Sequence, residues 1–284
     1  MISTRYATLL LLLAAPGLAQ CDRDRPEPAP EAPAAAPPPP TTALNRAEMI
    51  AALARAASAY ASGEAPDEML SGRRFVVRLP FGCQGATETP NRPGFASWSR
   101  SADGQNIELR MTPADWLASP PVEGADLAEA WANADGVWIT RPWLSSDTCP
   151  PPPPAIETAL LAVQDAEGDA HVAPPPLVVP PSSPQTAGLA LYSPVEGSRI
   201  GRRDGQPYAH LIRAEGEQPA QPSPRGWRVL IEGRIGAFPD GRSVRCRADG
   251  RDARPVCVAA VQVDKLAFED GSTGRQLAEW RPGG

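Results

Sequence analysis

Apolar residues recur at helical spacing between positions 47 and 62. Thr42 or Asn45 can cap a helix over Ala47 to Ser62, and Gly63 can end it. One face of this helix carries the apolar residues Met49, Ile50, Leu53, Ala56, Ala57 and Tyr60. The pattern therefore predicts an amphipathic helix, which is the clearest helix in the sequence.

Shorter stretches of alternating or β-branched residues predict strands in the first half of the chain. These stretches are Arg74 to Cys83, Phe95 to Arg100, Ile107 to Met111 and Gly136 to Leu144. Asp103-Gly104 is a hairpin turn sequence between the second and the third, and a short helix is predicted over Asp126 to Asn133. Residues 44–149 are therefore predicted to form a helix-plus-β domain.

The second half shows short predicted strands separated by turn sequences such as Asp249-Gly250. The strands are Gly188 to Tyr192, Tyr208 to Ala214, Trp227 to Gly236, Arg242 to Ala248, Pro255 to Phe268 and Gln276 to Trp280. This spacing predicts a small all-β domain, a barrel or a sandwich, over residues 188–284. The predicted fold class is thus α+β and mainly β.

Two proline clusters lie within residues 150–187, at Pro150 to Pro154 and Pro174 to Pro184. Proline at this density does not fit a central strand, because it has no N–H group to donate to the sheet. The segment is therefore predicted to be a junction between two domains. The alternative is a proline-rich excursion within a single domain.

The first 20 residues have the pattern of a removable leader. Arg5 is the only charged residue before Cys21, and the apolar run from Ala7 to Ala15 follows it. This run is too short to cross a bilayer, which needs roughly 20 apolar residues. We therefore expect residues 1–20 to be a signal peptide. Residues 21–43, rich in Pro, Ala and Glu, bury little apolar surface and are predicted to be a disordered tether.

The sequence Leu18-Ala19-Gln20-Cys21 resembles the lipobox of bacterial lipoproteins. The resemblance implies that Cys21 becomes the lipidated first residue and holds the chain at the periplasmic face of a membrane. Gln20 stands where the lipoprotein pattern has a small residue. The alternative is cleavage after Gly17-Leu18-Ala19, which produces a soluble periplasmic or secreted protein.

The chain has 5 Cys, and lipidation of Cys21 leaves an even set that can pair completely. Cys246 and Cys257 flank a predicted turn, so we expect a disulfide between them. Cys83 and Cys149 then form a second disulfide within the first half. No Cys-x-x-Cys sequence occurs and neither His lies near a Cys, so no metal site is predicted.

Charge and motifs argue against several classes of function. The net charge is −6 and no basic stripe occurs, which argues against a general nucleic-acid binder. The sequence also lacks a Walker loop, a Gly-x-Gly-x-x-Gly turn, a nucleophile elbow and a His-Glu-x-x-His helix. No cofactor is therefore predicted.

Two sets of residues are candidates for hydrolysis in the periplasm. The chain has 2 His, His171 and His210, and His210 could act as an acid or base if Asp204 or Glu215 oriented it. A pair of carboxylates of the kind that glycosidases use could lie among Asp115, Glu123, Asp126 and Glu129. A periplasmic hydrolase is the alternative hypothesis, and no residue is assigned a catalytic role.

The chain has 7 Trp, and most of them fall between positions 98 and 143. Trp98, Trp138 and Trp143 are candidates for an exposed platform that binds a glycan or a peptide, or else they belong to the core. The leading hypothesis is a lipid-anchored, non-catalytic binding or assembly module of the cell envelope. Its expected partners are the membrane, through the N-terminal lipid, and an envelope glycan or protein.

Overall fold

A computed structural model describes residues 42–64, 70–121, 127–150, 185–194 and 206–281 of the chain. The described residues form two sheets and two helices, so the prediction of a mainly β fold is confirmed. The predicted signal peptide, the tether and most of the proline-rich segment 150–187 lie outside the described residues.

The first helix, α1 (Arg46–Ser62), has the predicted position and the predicted ends. Asn45 caps it, because its side chain accepts the Glu48 N–H at 3.0 Å while the Glu48 carboxylate accepts the Asn45 N–H at 2.8 Å. Gly63 ends the helix in the left-handed region at φ 75°. Met49 and Leu53 are buried, so this face of α1 packs onto the sheet.

The remaining elements agree closely with the predicted strands in the second half and less closely around residue 131. The elements are β1 (Arg74–Phe81), β2 (Phe95–Arg100), β3 (Ile107–Thr112), β4 (Ala114–Asp115), α2 (Leu127–Ala130), β5 (Trp131–Trp138), β6 (Ala187–Pro194), β7 (Tyr208–Ile212), β8 (Trp227–Ile235), β9 (Val244–Arg247), β10 (Val256–Asp270) and β11 (Gln276–Trp280).

The larger sheet has the strand order β1-β8-β10-β6-β5-β4, and β9 and β11 also pair with β10. The long strand β10 organises this sheet, since its first part pairs with β6 and β9 and its last part pairs with β8 and β11. The β6–β10 pair is parallel and the other pairs are antiparallel. The smaller sheet has the order β2-β3-β7.

The predicted division into domains 44–149 and 188–284 is wrong, because strands from the two sides of the proline-rich segment pair directly. β1 pairs with β8 along its whole length, and β7 completes the sheet that β2 and β3 begin. The described residues, which all follow Thr41, belong to one compact unit. The second half therefore does not form a barrel or sandwich of its own.

The predicted helix over Asp126 to Asn133 and the predicted strand over Gly136 to Leu144 both differ from the structure. The helix α2 has only four residues, and β5 begins directly after it at Trp131. Stacking explains this early start, because the Trp131 ring lies 4.3 Å from the Tyr192 ring on the neighbouring strand β6. The chain then leaves the sheet after Trp138, so residues 140–144 form a loop.

Two apolar clusters lie on the large sheet. The main cluster joins α1 to residues of both sheets, and Trp98 of β2 meets Trp227 of β8 edge to face at 5.0 Å within it. The second cluster is centred on Trp116 and Trp131. Trp116 lies so close over β5 that a Cβ atom on Gly136 would be 2.1 Å from the indole ring, which is why glycine occupies that position.

Both predicted disulfides are present. Cys83 is bonded to Cys149, and Cys246 is bonded to Cys257, where the two cysteines face each other directly across β9 and β10. Two disulfides indicate an oxidising, exported environment. In the described ranges, neither helix combines the length and the apolar character that are needed to cross a bilayer.

Candidate functional site

The three tryptophans that are candidates for a platform or for the core lie in three different environments. Trp98 is buried in the main core, 6% exposed, where it packs on Trp227. Trp138 is partly buried and packs edge to face on Trp116 at 5.0 Å. The three side chains therefore do not share one platform, and Trp98 belongs to the core, which is the alternative that the sequence left open. Trp143 alone of the three is open to solvent, at 67% exposure.

Trp143 lies at the edge of an apolar groove beside α1. The groove has a volume of about 420 Å³, and we call it the α1 groove. Its lining consists of one face of α1, the loop that carries Trp143, the start of β6 and the segment before β10. The lining residues are Ile50, Leu53, Ala54, Ala57, Ser58, Ala61, Pro142, Trp143, Thr186, Ala187, Arg254 and Pro255.

A tight turn presents Trp143 to solvent. The Leu144 N–H donates to the Arg141 carbonyl oxygen at 2.9 Å, which closes a turn with Pro142 and Trp143 at its centre. Proline fixes φ near −65°, as the second residue of such a turn requires. Arg141 precedes the proline with φ 51°, so the chain enters the turn from the left-handed region. The indole of Trp143 is thus held at the tip of a defined loop.

Arg46 at the start of α1 fixes this loop to the helix. Its side chain is almost fully buried, and its Nη2 donates to the carbonyl oxygens of Thr140 at 2.7 Å and Arg141 at 3.3 Å. Its Nε donates to the Leu144 carbonyl oxygen at 3.3 Å. Burial lowers the pKa of Arg46 to about 10, and the nearby Asp147 opposes this shift. The guanidinium is therefore charged at neutral pH and binds both ends of the turn.

Two main-chain carbonyl groups at the start of β6 beside the groove are already engaged. The Thr186 carbonyl accepts the Cys257 N–H at 2.9 Å, and the Ala187 carbonyl accepts the Ile139 N–H at 2.9 Å. The Ser58 hydroxyl donates to the Ala54 carbonyl within α1 at 3.1 Å. The groove consequently offers apolar surface and a few donors, and the start of β6 does not present these two carbonyls to an added strand.

Arg254 is the only charged residue among the described residues of the lining. It is exposed, and no carboxylate of the described residues lies within ion-pair distance of it. Asp252 is nearby in sequence, but it does not line the groove. Among the described lining residues, the charge at the groove is therefore the single positive charge of Arg254, although the whole chain carries a net charge of −6.

The structure does not assemble the residues considered for hydrolysis into one site. His210 on β7 is half buried, and burial lowers its pKa. The Asp115 carboxylate accepts the N–H groups of Leu117 and Ala118 at 3.0 Å, so it stabilises the turn after β4. Glu129 is exposed on α2, Glu215 is exposed after β7, and His171, Glu123, Asp126 and Asp204 lie outside the described residues.

One further ionic cluster is buried, and it belongs to the large sheet. Glu269 of β10, 5% exposed, accepts from Arg228 of β8 at 3.1 Å and from Arg78 of β1 at 3.0 Å. Glu269 and Arg228 are direct cross-strand partners. The cluster thus joins three adjacent strands, which is a structural role. In the part of the chain that the structure describes, no group of three His, Cys, Asp or Glu side chains is placed to hold a metal ion.

Sequence reasoning missed the α1 groove but contained a signal for it. The predicted apolar face of α1 is wider than the face that the sheet covers, since Ile50 and Ala57 are only partly buried and Tyr60 is 44% exposed. An apolar helix face that exceeds its covered width leaves apolar surface beside the sheet. The role of Arg46 carried no comparable signal, because its partners are main-chain atoms 94 to 98 residues away.

Comparison with known proteins gives no assignment: no family model, no curated protein and no solved structure matches this chain.

Proposed function

We propose that this chain is a lipid-anchored, non-catalytic binding module of the bacterial cell envelope, and that the α1 groove is its recognition surface. The observation that carries the proposal is the exposed Trp143 held at the edge of an apolar groove. Large aromatic side chains dominate the energetics of protein interfaces when they become buried.

The environment of Trp143 supports binding rather than catalysis. Within the ranges that the structure describes, the lining contains no Asp, Glu, His, Cys or Lys side chain. Arg254 can attract an anionic group, but a cation on an apolar rim does not by itself transfer protons or form covalent intermediates. The clamp by Arg46 supports binding further, because a loop fixed before binding loses little conformational entropy when a partner arrives.

The anchoring part of the proposal has separate support. The leader, the lipobox-like sequence ending at Cys21 and the Pro/Ala-rich residues 21–43 together match a protein tethered to a membrane. The oxidising environment that the two disulfides indicate agrees with the periplasm.

The binding proposal is tested with two matched variants. The full mature chain is immobilised and exposed to solubilised envelope proteins, and the retained proteins are quantified by mass spectrometry. Trp143→Ala should lose the specific partner, whereas Leu211→Ala should retain it, since Leu211 is an exposed apolar residue outside the groove, 43% exposed. Equal retention by both variants and by the unmodified chain would overturn the proposal.

A further inference from the structure

We infer that the occupant of the α1 groove is an extended, proline-rich protein segment that carries carboxylates. This inference rests on the proposed function, and it specifies the chemistry of the partner. Three properties of the groove lead to it: the exposed aromatic ring, the balance of hydrogen-bond donors and acceptors, and the positive charge of Arg254.

The aromatic ring favours proline. Proline-rich segments in the polyproline II conformation dock against exposed aromatic side chains, and their conformation costs little entropy because it is already present in the free chain. Trp143 provides such a ring, with Pro142 and Pro255 beside it in the lining. The lining also contains the small residues Ala54, Ala57 and Ala61 of α1, whose side chains occupy little of the groove.

The hydrogen-bonding groups favour proline more specifically. The Thr186 and Ala187 carbonyls are engaged within the sheet, so a bound chain finds no acceptor there for its N–H groups. Burying an N–H group without an acceptor weakens binding, because the group loses its hydrogen bond to water. Proline has no N–H group but keeps its carbonyl. The groove can donate to such carbonyls from the Trp143 indole and the Arg254 guanidinium.

The polar groups of the lining also disfavour a glycan or an acyl chain as the occupant of the α1 groove. A sugar presents many hydroxyl groups that need partners, whereas the described part of the lining offers, besides the Trp143 indole, only Ser58, Thr186 and Arg254 as polar side chains, and the Ser58 hydroxyl already donates within α1. The hydrocarbon part of an acyl chain has no acceptor for the Trp143 and Arg254 donor groups. A peptide that combines proline with carboxylates uses the apolar walls, the donors and the charge of Arg254 together.

Fluorescence anisotropy tests the inference directly. The probe is a fluorescein-labelled peptide with the sequence Pro-Glu-Pro-Ala-Pro-Glu-Ala-Pro-Ala-Ala-Ala-Pro-Pro-Pro-Pro, which is that of residues 26–40. It is titrated with the full mature chain and with a chain whose residues 26–40 are replaced by a Gly/Ser sequence, so that the segment identical to the probe does not compete with it. Two further probes carry Gln in place of Glu, or Ala in place of Pro.

The expected results follow from the three properties. Replacing the prolines should weaken binding about tenfold, and Trp143→Ala should do the same, as expected for an aromatic anchor. Replacing the glutamates, or Arg254→Ala, should weaken binding about threefold and reduce its dependence on salt. The control variants Leu211→Ala and Arg275→Ala, both outside the groove, should bind as the unmodified chain does.

Other outcomes separate the inference from the proposed function. If the proline-free probe binds equally well, or if a peptidoglycan fragment or dodecanoate competes at Trp143 while the peptide does not, the proline-rich class is wrong. Loss of the envelope partner in Trp143→Ala without any peptide binding would reject this ligand class and leave the binding function standing. If Trp143→Ala behaves as the unmodified chain does in the capture of envelope proteins and in the peptide titration, the proposed function and the proline-rich ligand class are both rejected.

Discussion

Arg46 of α1 donates from Nη2 to the carbonyl oxygen of Thr140 at 2.7 Å, across 94 residues of sequence. This hydrogen bond joins the first helix to the loop that carries Trp143. The wall of the α1 groove and its aromatic edge are thereby fixed relative to each other. A charged donor to a buried carbonyl is among the stronger hydrogen bonds in proteins.

Arg46→Met should loosen the loop while keeping the apolar stem of the side chain. The Thr140, Arg141 and Leu144 carbonyls lose their donor, and relief from burying a charge offsets part of this loss. We expect the free energy of unfolding to fall by about 2 kcal/mol, measured by urea denaturation. Arg55→Met, an exposed substitution on the same helix, should change it by less than about 0.5 kcal/mol. Equal stability of the two variants would contradict the role given to Arg46.

Gly136→Ala should disrupt the second apolar cluster. The new methyl group would lie 2.1 Å from the Trp116 indole, so the ring must leave its position over β5. Overpacking of this kind costs about 1–3 kcal/mol, and it should also change the near-ultraviolet circular dichroism of the tryptophans. Gly250→Ala is the matched control, because no atom lies within 4 Å of its added Cβ. An unchanged spectrum for Gly136→Ala would show that Trp116 does not pack as described.

His210 should make the fold less stable in mild acid. Burial lowers its pKa in the folded state, so between that pKa and the unfolded value near 6.5 the unfolded chain binds more protons. The contribution of His210 to the free energy of unfolding is therefore complete above about pH 6.5. It is lost as the pH falls from there through the pKa of the folded state. Urea denaturation at several pH values should show that the free energy of unfolding falls less in mild acid for His210→Gln than for the unmodified chain. An identical pH dependence in the variant would mean that other groups cause the loss.

Cleavage and acylation of the N-terminus should occur at Cys21 in the native host. Intact mass spectrometry of the purified mature protein should find a diacylated or triacylated Cys21 as the first residue, and Cys21→Ser should release the protein from the membrane fraction. An unmodified chain that begins at Gln20 would reject lipid anchoring. The binding proposal for the α1 groove would be unaffected, since it depends on residues 46–64, 140–144, 185–187 and 254–255.

Local patterns predicted most elements of this fold because each depends on neighbouring residues. The α1 helix follows from its capping box and apolar spacing, and β8 and β10 follow from long β-branched stretches. The pairing of β1 with β8 could not be predicted in this way, because it joins strands about 150 residues apart and local sequence does not choose partners. The proline-rich segment suggested a domain boundary, yet the sheet continues across it.

The site illustrates the same limit. Trp98, Trp138 and Trp143 are alike in composition and near each other in sequence, and only burial separates a core residue from an exposed one. Burial depends on β2 facing β3 and on β5 ending at Trp138, before the chain turns away. The cysteines were easier, because an even set of four has few pairings and Cys246 and Cys257 flank a single hairpin.

Photo-cross-linking in intact cells tests the α1 groove as the recognition surface most directly. Trp143 is replaced by p-benzoylphenylalanine, with the same replacement at Leu211 as the control, and the residues joined on irradiation are identified by mass spectrometry. We expect a discrete adduct at position 143 that maps to a proline-rich, acidic segment. Arg254→Glu should reduce this adduct, and the control at position 211 should not form it. The absence of an adduct at position 143, or equal adducts at positions 143 and 211, would contradict the assignment of the α1 groove as the recognition surface.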